Sequence, residues 1–180
     1  MLASLLQGPL LRLLCVGVVL LALQRTIFTD MRPLGVAVQV VLALACAAGA
    51  AGGPQKGAYA GFVLGLMYDL SVGTPLGSSS ISMGLGGFVA GYATSISADP
   101  QWWLAALFTG IGAAVGELTV PVVRAFIGEE HVFTPRLSTI VPVVAVSAMI
   151  MSPLLVPVGR WCMGVRRPEW KAPLERAEAE

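Results

Sequence analysis

The sequence predicts an all-α fold, an integral membrane bundle of six transmembrane helices, and three observations lead there. The 180-residue chain is 56% apolar and 12% charged, with a mean hydropathy of +0.81. Soluble domains sit near 45–50% apolar and about 25% charged, so the composition lies on the membrane side. The apolar residues fall into six runs, most of them close to the roughly 20 residues that a helix needs to cross a bilayer. Between the runs stand short clusters of Gly, Pro, Asp and Lys, which break helices. At this length one compact domain is expected.

The first span, about 9–28, carries Arg12 near its start and Gln24-Arg25 near its end. It lacks the basic leader and short apolar core of a signal peptide and is expected to be retained. Gln24-Arg25 reads as an interfacial anchor, with a partner contact as the sharper alternative. Pro33 suits the first turn of a second helix, about 34–51, rich in Ala and Val. The turn 52–56, GGPQK, leads into the third run, 57–72, and the Gly73–Ser80 turn leads into the fourth, 81–97. Asp99-Pro100 breaks the chain before the fifth, 102–123, which opens on Trp102-Trp103. The polar connection 124–137 contains Phe126, Ile127, Val132 and Phe133, which are expected to hold it at the membrane interface. The sixth run, 138–159, carries Pro142, Pro153 and Pro157, expected to bend it, and the tail 161–180 is basic, then acidic.

Six spans put both termini on one side. That side holds Arg12, Lys56, Arg160, Arg166, Arg167, Lys171 and Arg176; the other holds Arg25, Arg32, Arg124 and Arg136. Because Lys and Arg accumulate in cytoplasmic connections, both termini are expected in the cytoplasm, with the tail supplying the surplus. Trp102, Trp103 and Trp161 all fall at the same cytoplasmic interface in this topology, as interfacial aromatics do. Arg166-Arg167 reads as a topology determinant beside anionic lipid, with docking of a cytoplasmic partner as the alternative.

A net charge of +1 and a pI near 7.7 give no reason to expect a nucleic-acid partner. Cys15, Cys46 and Cys162 are odd in number and lie in or beside apolar runs, where free Cys acts as a small packing residue. The single histidine, His131, has no second His or Cys near it. There is no phosphate loop, no G-x-S-x-G, no H-E-x-x-H and no C-x-x-C, so no enzyme activity, cofactor or metal is expected.

The stretch 57–77, GAYAGFVLGLMYDLSVGTPLG, organises the chain. Gly57, Gly61 and Gly65 recur every four residues and stack on one helix face, which carries Asp69 four residues further on. Small residues let another helix come close, and a carboxylate at membrane depth needs a partner. Pro75 and the pair Gly73 and Gly77 stop the helix and turn the chain back. Glu117, on the fifth run, is the other carboxylate at membrane depth, and the topology puts it level with Asp69 on the outer side. One reading makes the two a proton, ion or ligand site facing a cavity. The other, favoured by the lack of an intramembrane Lys or Arg, makes them structural, with Asp69 bonding the Gly73–Ser80 amides and Glu117 bonding Thr119, Arg124 or Tyr68.

Leu23-Gln24-Arg25-Thr26 at the end of the first span, followed by the glycine-spaced helix with Gly65-Leu66, Asp69-Leu70 and Pro75-Leu76-Gly77, resembles the rod shape-determining MreD family. The resemblance covers about 25–97 by residues and the remainder by hydropathy alone. It implies a non-enzymatic subunit of the cell-elongation machinery (the elongasome) in the bacterial plasma (inner) membrane, supporting lateral peptidoglycan synthesis of the cell wall and cell shape. It also implies partners: a single-span MreC-like protein and, through it, MreB, a RodA-type glycosyltransferase and a class B penicillin-binding protein. The fold implied is similar to the membrane substrate-binding subunits of energy-coupling-factor transporters. On the scaffold reading the small-residue faces, with Gly61 and Gly65 foremost, pack within the fold and against the single-span partner. The alternative is a small-molecule-binding membrane subunit of a transporter with Asp69 and Glu117 lining its site. A part in handling the lipid precursors of the wall is a third reading that no residue demands.

Overall fold

The computed structural model describes residues 8–27, 32–97, 100–128 and 136–165. They form α1 (Pro9–Thr26), α2 (Val40–Gly52), α3 (Pro54–Val72), α4 (Ser78–Ala90), the single turn α5 (Ala93–Ile96), α6 (Trp102–Phe126) and α7 (Leu137–Cys162), with a 3-10 turn at Pro33–Gly35. No strand occurs among the described residues, so the all-α expectation holds. His131, Val132, Phe133 and the tail from Arg166 lie outside them.

Three helices, α1, α6 and α7, are long and apolar enough to cross a membrane. α3 matches them in length, at 19 residues, but Lys56, Asp69 and its glycines make it less apolar. α2 and α4 have 13 residues each, about 20 Å at 1.5 Å per residue.

The second helix departs from the expected 34–51. Pro33 opens a 3-10 turn in place of an α-helix, and Leu34 and Gly35 take φ of 54° and 78°. Two successive left-handed residues cannot continue a right-handed helix, so residues 36–39 stay non-helical and α2 starts at Val40. The fourth helix also shifts. It begins at Ser78 and ends at Ala90, where Gly91 lies so close to the backbone of Gly53 and Pro54 that a Cβ would collide. The chain bends there before α5. The third helix starts three residues early because Pro54 fits a helix first turn.

α2 is the hub. Twelve of its 13 residues are buried, and it touches each of the other six helices. Its sequence, VVLALACAAGAAG, explains this: a helix apolar all round belongs in the interior, and Ala and Gly let six neighbours approach. Leu42 and Leu44 fill the spaces the small residues leave, with Leu13 and Leu64 from α1 and α3. Of the cysteines, Cys46 and Cys162 are buried and Cys15 is exposed; all three are free thiols.

The glycine ridge of α3 faces α4. A Cβ on Gly61 would overlap the Met83 carbonyl, one on Gly57 would overlap Gly87 and Gly49, and one on Gly65 would come within 2.5 Å of the Ser79 carbonyl oxygen and Ser80 Cα. The ridge is therefore filled by the next helix in the chain, and Gly61 and Gly65 present no free face to another protein. The opposite rim of this contact is looser: a Cβ on Gly84 would meet nothing nearer than 3.5 Å.

These contacts sort the chain into two ends. At one, the Arg12 guanidinium lies 5.2 Å from the Trp161 ring centre, and the α2–α3 turn meets Val165 at Gly52. At the other, the end of α1 meets the start of α2, and α2's entry meets α6.

The backbone approach yields a differential prediction. Gly61→Ala is expected to lower stability by about 1–3 kcal/mol, the range for overpacking a filled core, whereas Gly84→Ala stays within about 1 kcal/mol of the parent. Thermal unfolding of the purified chain in detergent micelles reads both. Equal shifts for the two would contradict the packing described here.

Candidate functional site

At the end of α3 the chain makes a closed polar unit. Gly73 adopts φ 78° and its amide bonds the Asp69 carbonyl, ending the helix in a left-handed cap. The Asp69 carboxylate then reaches across the turn. It accepts hydrogen bonds from Thr74 Oγ1 (2.7 Å), Gly77 N (2.9 Å), Ser79 N (3.2 Å to each oxygen) and Ser78 Oγ (3.4 Å). Gly77 is the residue before α4, at φ 96°, so Asp69 supplies the acceptor that α4's first amides lack within their own helix. Negative charge at a helix N-terminus is further favoured by the peptide dipoles. Asp69 is 1% exposed, and the turn uses both its oxygens.

Glu117 meets a residue that spacing did not single out. Gln39, in the non-helical entry to α2, donates from Nε2 to Glu117 Oε2 at 2.6 Å across 78 positions of sequence. Two residues on, the Val41 amide donates to Gln24 Oε1 of α1 at 3.1 Å. The expected Glu117 partner Thr119 turns its hydroxyl onto the Val115 carbonyl instead. That is the usual choice for a helical Thr, whose own backbone is within reach.

The Gln39–Glu117 bond stands between two clefts and contributes to both. The smaller, about 230 Å³, also holds Tyr68, Thr74, Ser79 and Arg124. The larger, about 530 Å³, is completed by Leu34, Val36, Arg136 and Thr139. Asp69 and Glu117 thus reach the same end of the bundle, as the topology implied, but only Glu117 lines a cleft. Asp69 contributes through Thr74 and Ser79, the partners it fixes in the wall.

The remaining named positions are structural in placement. Gly57, Gly61 and Gly65 form the α3–α4 contact, Gly73 and Gly77 are the two left-handed residues of the hairpin, and Pro75 lies between them. Gln24 and Gln39 are the residues that sequence reasoning missed. For Gln24 the sequence reading offers an interfacial anchor or a partner contact, and neither is the intramolecular bond to Val41. The signal that could have found Gln39 is its place as a lone amide in the apolar run 34–51, a polar group that must find a partner once buried.

Chemically, the clefts offer one carboxylate, an amide, a phenol, hydroxyls and two arginines, a set suited to holding a polar molecule. The Ser82 hydroxyl is turned onto the Ser78 carbonyl, so it is not poised as a nucleophile. Among the described residues no three His, Cys, Asp or Glu gather in a way that could hold a metal ion. No family model, curated protein or solved structure matches the chain.

Asp69→Ala leaves the Gly77 and Ser79 amides without their acceptor and is expected to cost roughly 3 kcal/mol, as hydrogen bonds to a charged group imply. Asp69→Asn keeps one acceptor oxygen and should fall between Ala and the parent. Gln39→Leu strands Glu117 and is expected to cost about 1–3 kcal/mol. Thermal midpoints in micelles give the order; an Asp69→Ala protein as stable as the parent would refute the capping role.

Proposed function

We propose that this chain is a non-enzymatic, six-span membrane subunit of the bacterial cell-elongation complex, of the MreD type. In this role it binds a single-span MreC-like protein and supports lateral peptidoglycan synthesis. The observation that carries the reading is the fate of the residues bearing the resemblance. Gly65-Leu66, Asp69-Leu70 and Pro75-Leu76-Gly77 make one closed hairpin whose carboxylate is satisfied by its own turn. A motif built this way stiffens a scaffold and leaves no reactive group.

The second and fourth spans are the short helices with their flanks. Four residues at about 3.3 Å each add roughly 13 Å to the 20 Å of α2, reaching the approximately 30 Å of a bilayer core. Irregular backbone at that depth is tolerated where protein surrounds it; here Gln24 accepts the Val41 amide just beyond the segment, and the Gln39 side chain within it is bonded to Glu117. α4 gains its length from the 91–97 segment. Alternating spans put both termini on one side, which the count of Lys and Arg favours as the cytoplasm, and the resemblance implies an architecture similar to the membrane substrate-binding subunits of energy-coupling-factor transporters.

The second reading, a small-molecule-binding transporter subunit, draws on the two clefts that share Gln39 and Glu117. It requires that Glu117→Gln abolish function, whereas the scaffold reading expects that variant to keep cell shape.

Depletion of the chain in its native host is expected to round the cells, and affinity capture of the full-length protein from solubilised membranes should bring down the MreC-like protein. Rescue by Glu117→Gln supports the scaffold. Rods that persist after depletion, with no such protein captured, would sink the proposal.

A further inference from the structure

The inner side of the α3–α4 contact is filled, but its outer side, where Gly84 has room to spare, carries a groove of about 440 Å³. Ala58 of α3 with Ser80 and Gly84 of α4 make the floor; Phe62 stands on one rim, Leu85 and Phe88 on the other. The floor is half-buried or buried while all three rim side chains are exposed, so the surface is concave. From Ser80 to Phe88 it runs about 12 Å along α4, roughly two helical turns. Ser80 and Gly84 stand four apart, the spacing of small residues at which membrane helices pack closely.

Ser80 is the unusual member. It lines the groove, is 0% exposed, and its Oγ has no hydrogen-bond partner among the described residues. Ser82 and Thr109 turn their hydroxyls onto the carbonyl four residues back in their own helices. For Ser80, third in α4, that carbonyl belongs to Leu76, ahead of the helix start at Ser78, so the usual internal acceptor is missing. A buried hydroxyl left unpaired is unfavourable, and more so where no water supplies the acceptor.

We propose that this groove receives one membrane-spanning helix of another protein, packed over Gly84, whose backbone carbonyl or small polar side chain accepts from Ser80 Oγ. Three occupants could reach an apolar groove at membrane depth: a lipid chain, a second copy of this chain, or a foreign helix. An acyl chain has no acceptor and leaves Ser80 as it stands. A second copy related by a two-fold axis presents the same concave face, so rim meets rim and both floors stay unfilled. A single convex helix fits the concavity and brings the acceptor. The inference rests on the scaffold reading for the partner's identity, the single-span MreC-like protein, and moves the contact from the glycine ridge to its outer side.

The test uses the full-length chain co-expressed with the tagged MreC-like protein. Gly84→Leu fills the groove and should cut the chain captured with that protein at least tenfold, with the thermal midpoint of the free chain unchanged. Ser80→Ala should weaken capture about threefold, the effect of one hydrogen bond between membrane helices, yet leave the free chain as stable as the parent or more so. A purely structural Ser80 would instead lose stability and keep its capture. The photoreactive p-benzoylphenylalanine in place of Leu85 should form an adduct with the MreC-like protein, and in place of Ile150, exposed on α7, should not. Adducts at Leu85 with a second copy alone, or with lipid alone, overturn the proposal. Equal capture by Gly84→Leu and the parent overturns the groove while the complex itself stands. No capture by the parent would sink the scaffold reading and this inference with it.

Discussion

A helix that starts inside a packed bundle has amides with no acceptor, and the structure depends on how that is met. It happens twice here, with the same answer. α2 and α4 are the two 13-residue helices, and each begins beside the last turns of the helix before it. Gln24 of α1 receives the Val41 amide, and Asp69 of α3 receives those of Gly77 and Ser79. Each cap ties the incoming helix to the outgoing one, so these two hairpins are polar at the turn and apolar along their length. Losing either acceptor would leave a partly buried donor without its partner.

The caps also fix which surfaces meet. Asp69 starts α4 at Ser78, and that register brings Ser79, Met83 and Gly87 onto Gly65, Gly61 and Gly57. A start one residue later would rotate α4 by about 100° and put side chains where the ridge needs bare backbone. α2 is held likewise. With Gln24 below and Gln39 bonded to Glu117, its small residues are presented to every neighbour at once. Packing energy comes from the close contacts, while the polar groups choose among the registers that would permit them.

The helical class, three of the crossing helices and the Asp69 turn could be read in the sequence because each has a local cause. Long apolar runs make helices, Pro54 starts one, and Gly73 and Gly77 accept left-handed backbone. An acid eight residues before Gly77 is within reach of the turn that it caps. Gln39 and Glu117, at 78 positions apart, have no such cause. Their meeting is decided by the non-helical entry to α2, itself set by the positive φ of Leu34 and Gly35. Nothing about Leu34 announces a left-handed conformation, so the apolar pattern starts the second helix at 34, six residues before Val40. The four-residue glycine spacing marks a contact face, but periodicity carries no information on which helix fills it.

The uneven chemistry of the two ends follows from this arrangement. The caps need acceptors and donors where α2 and α4 begin, which brings Gln24, Gln39, Asp69 and Glu117 to one end. At the other end those helices finish, and glycine closes the turns: Gly91 packs on the backbone of Gly53 and Pro54, and Gly52 on the side chains of Lys56 and Val165. Lys56, Arg12 and Arg160 stand at that end, Arg12 over the Trp161 ring and Arg160 in a cleft with Trp102, Pro153 and Pro157. Because α2 and α4 both start at one end and finish at the other, the bundle has a polar end bearing Asp69 and Glu117 where they start and an aromatic end bearing Trp102 and Trp161 where they finish.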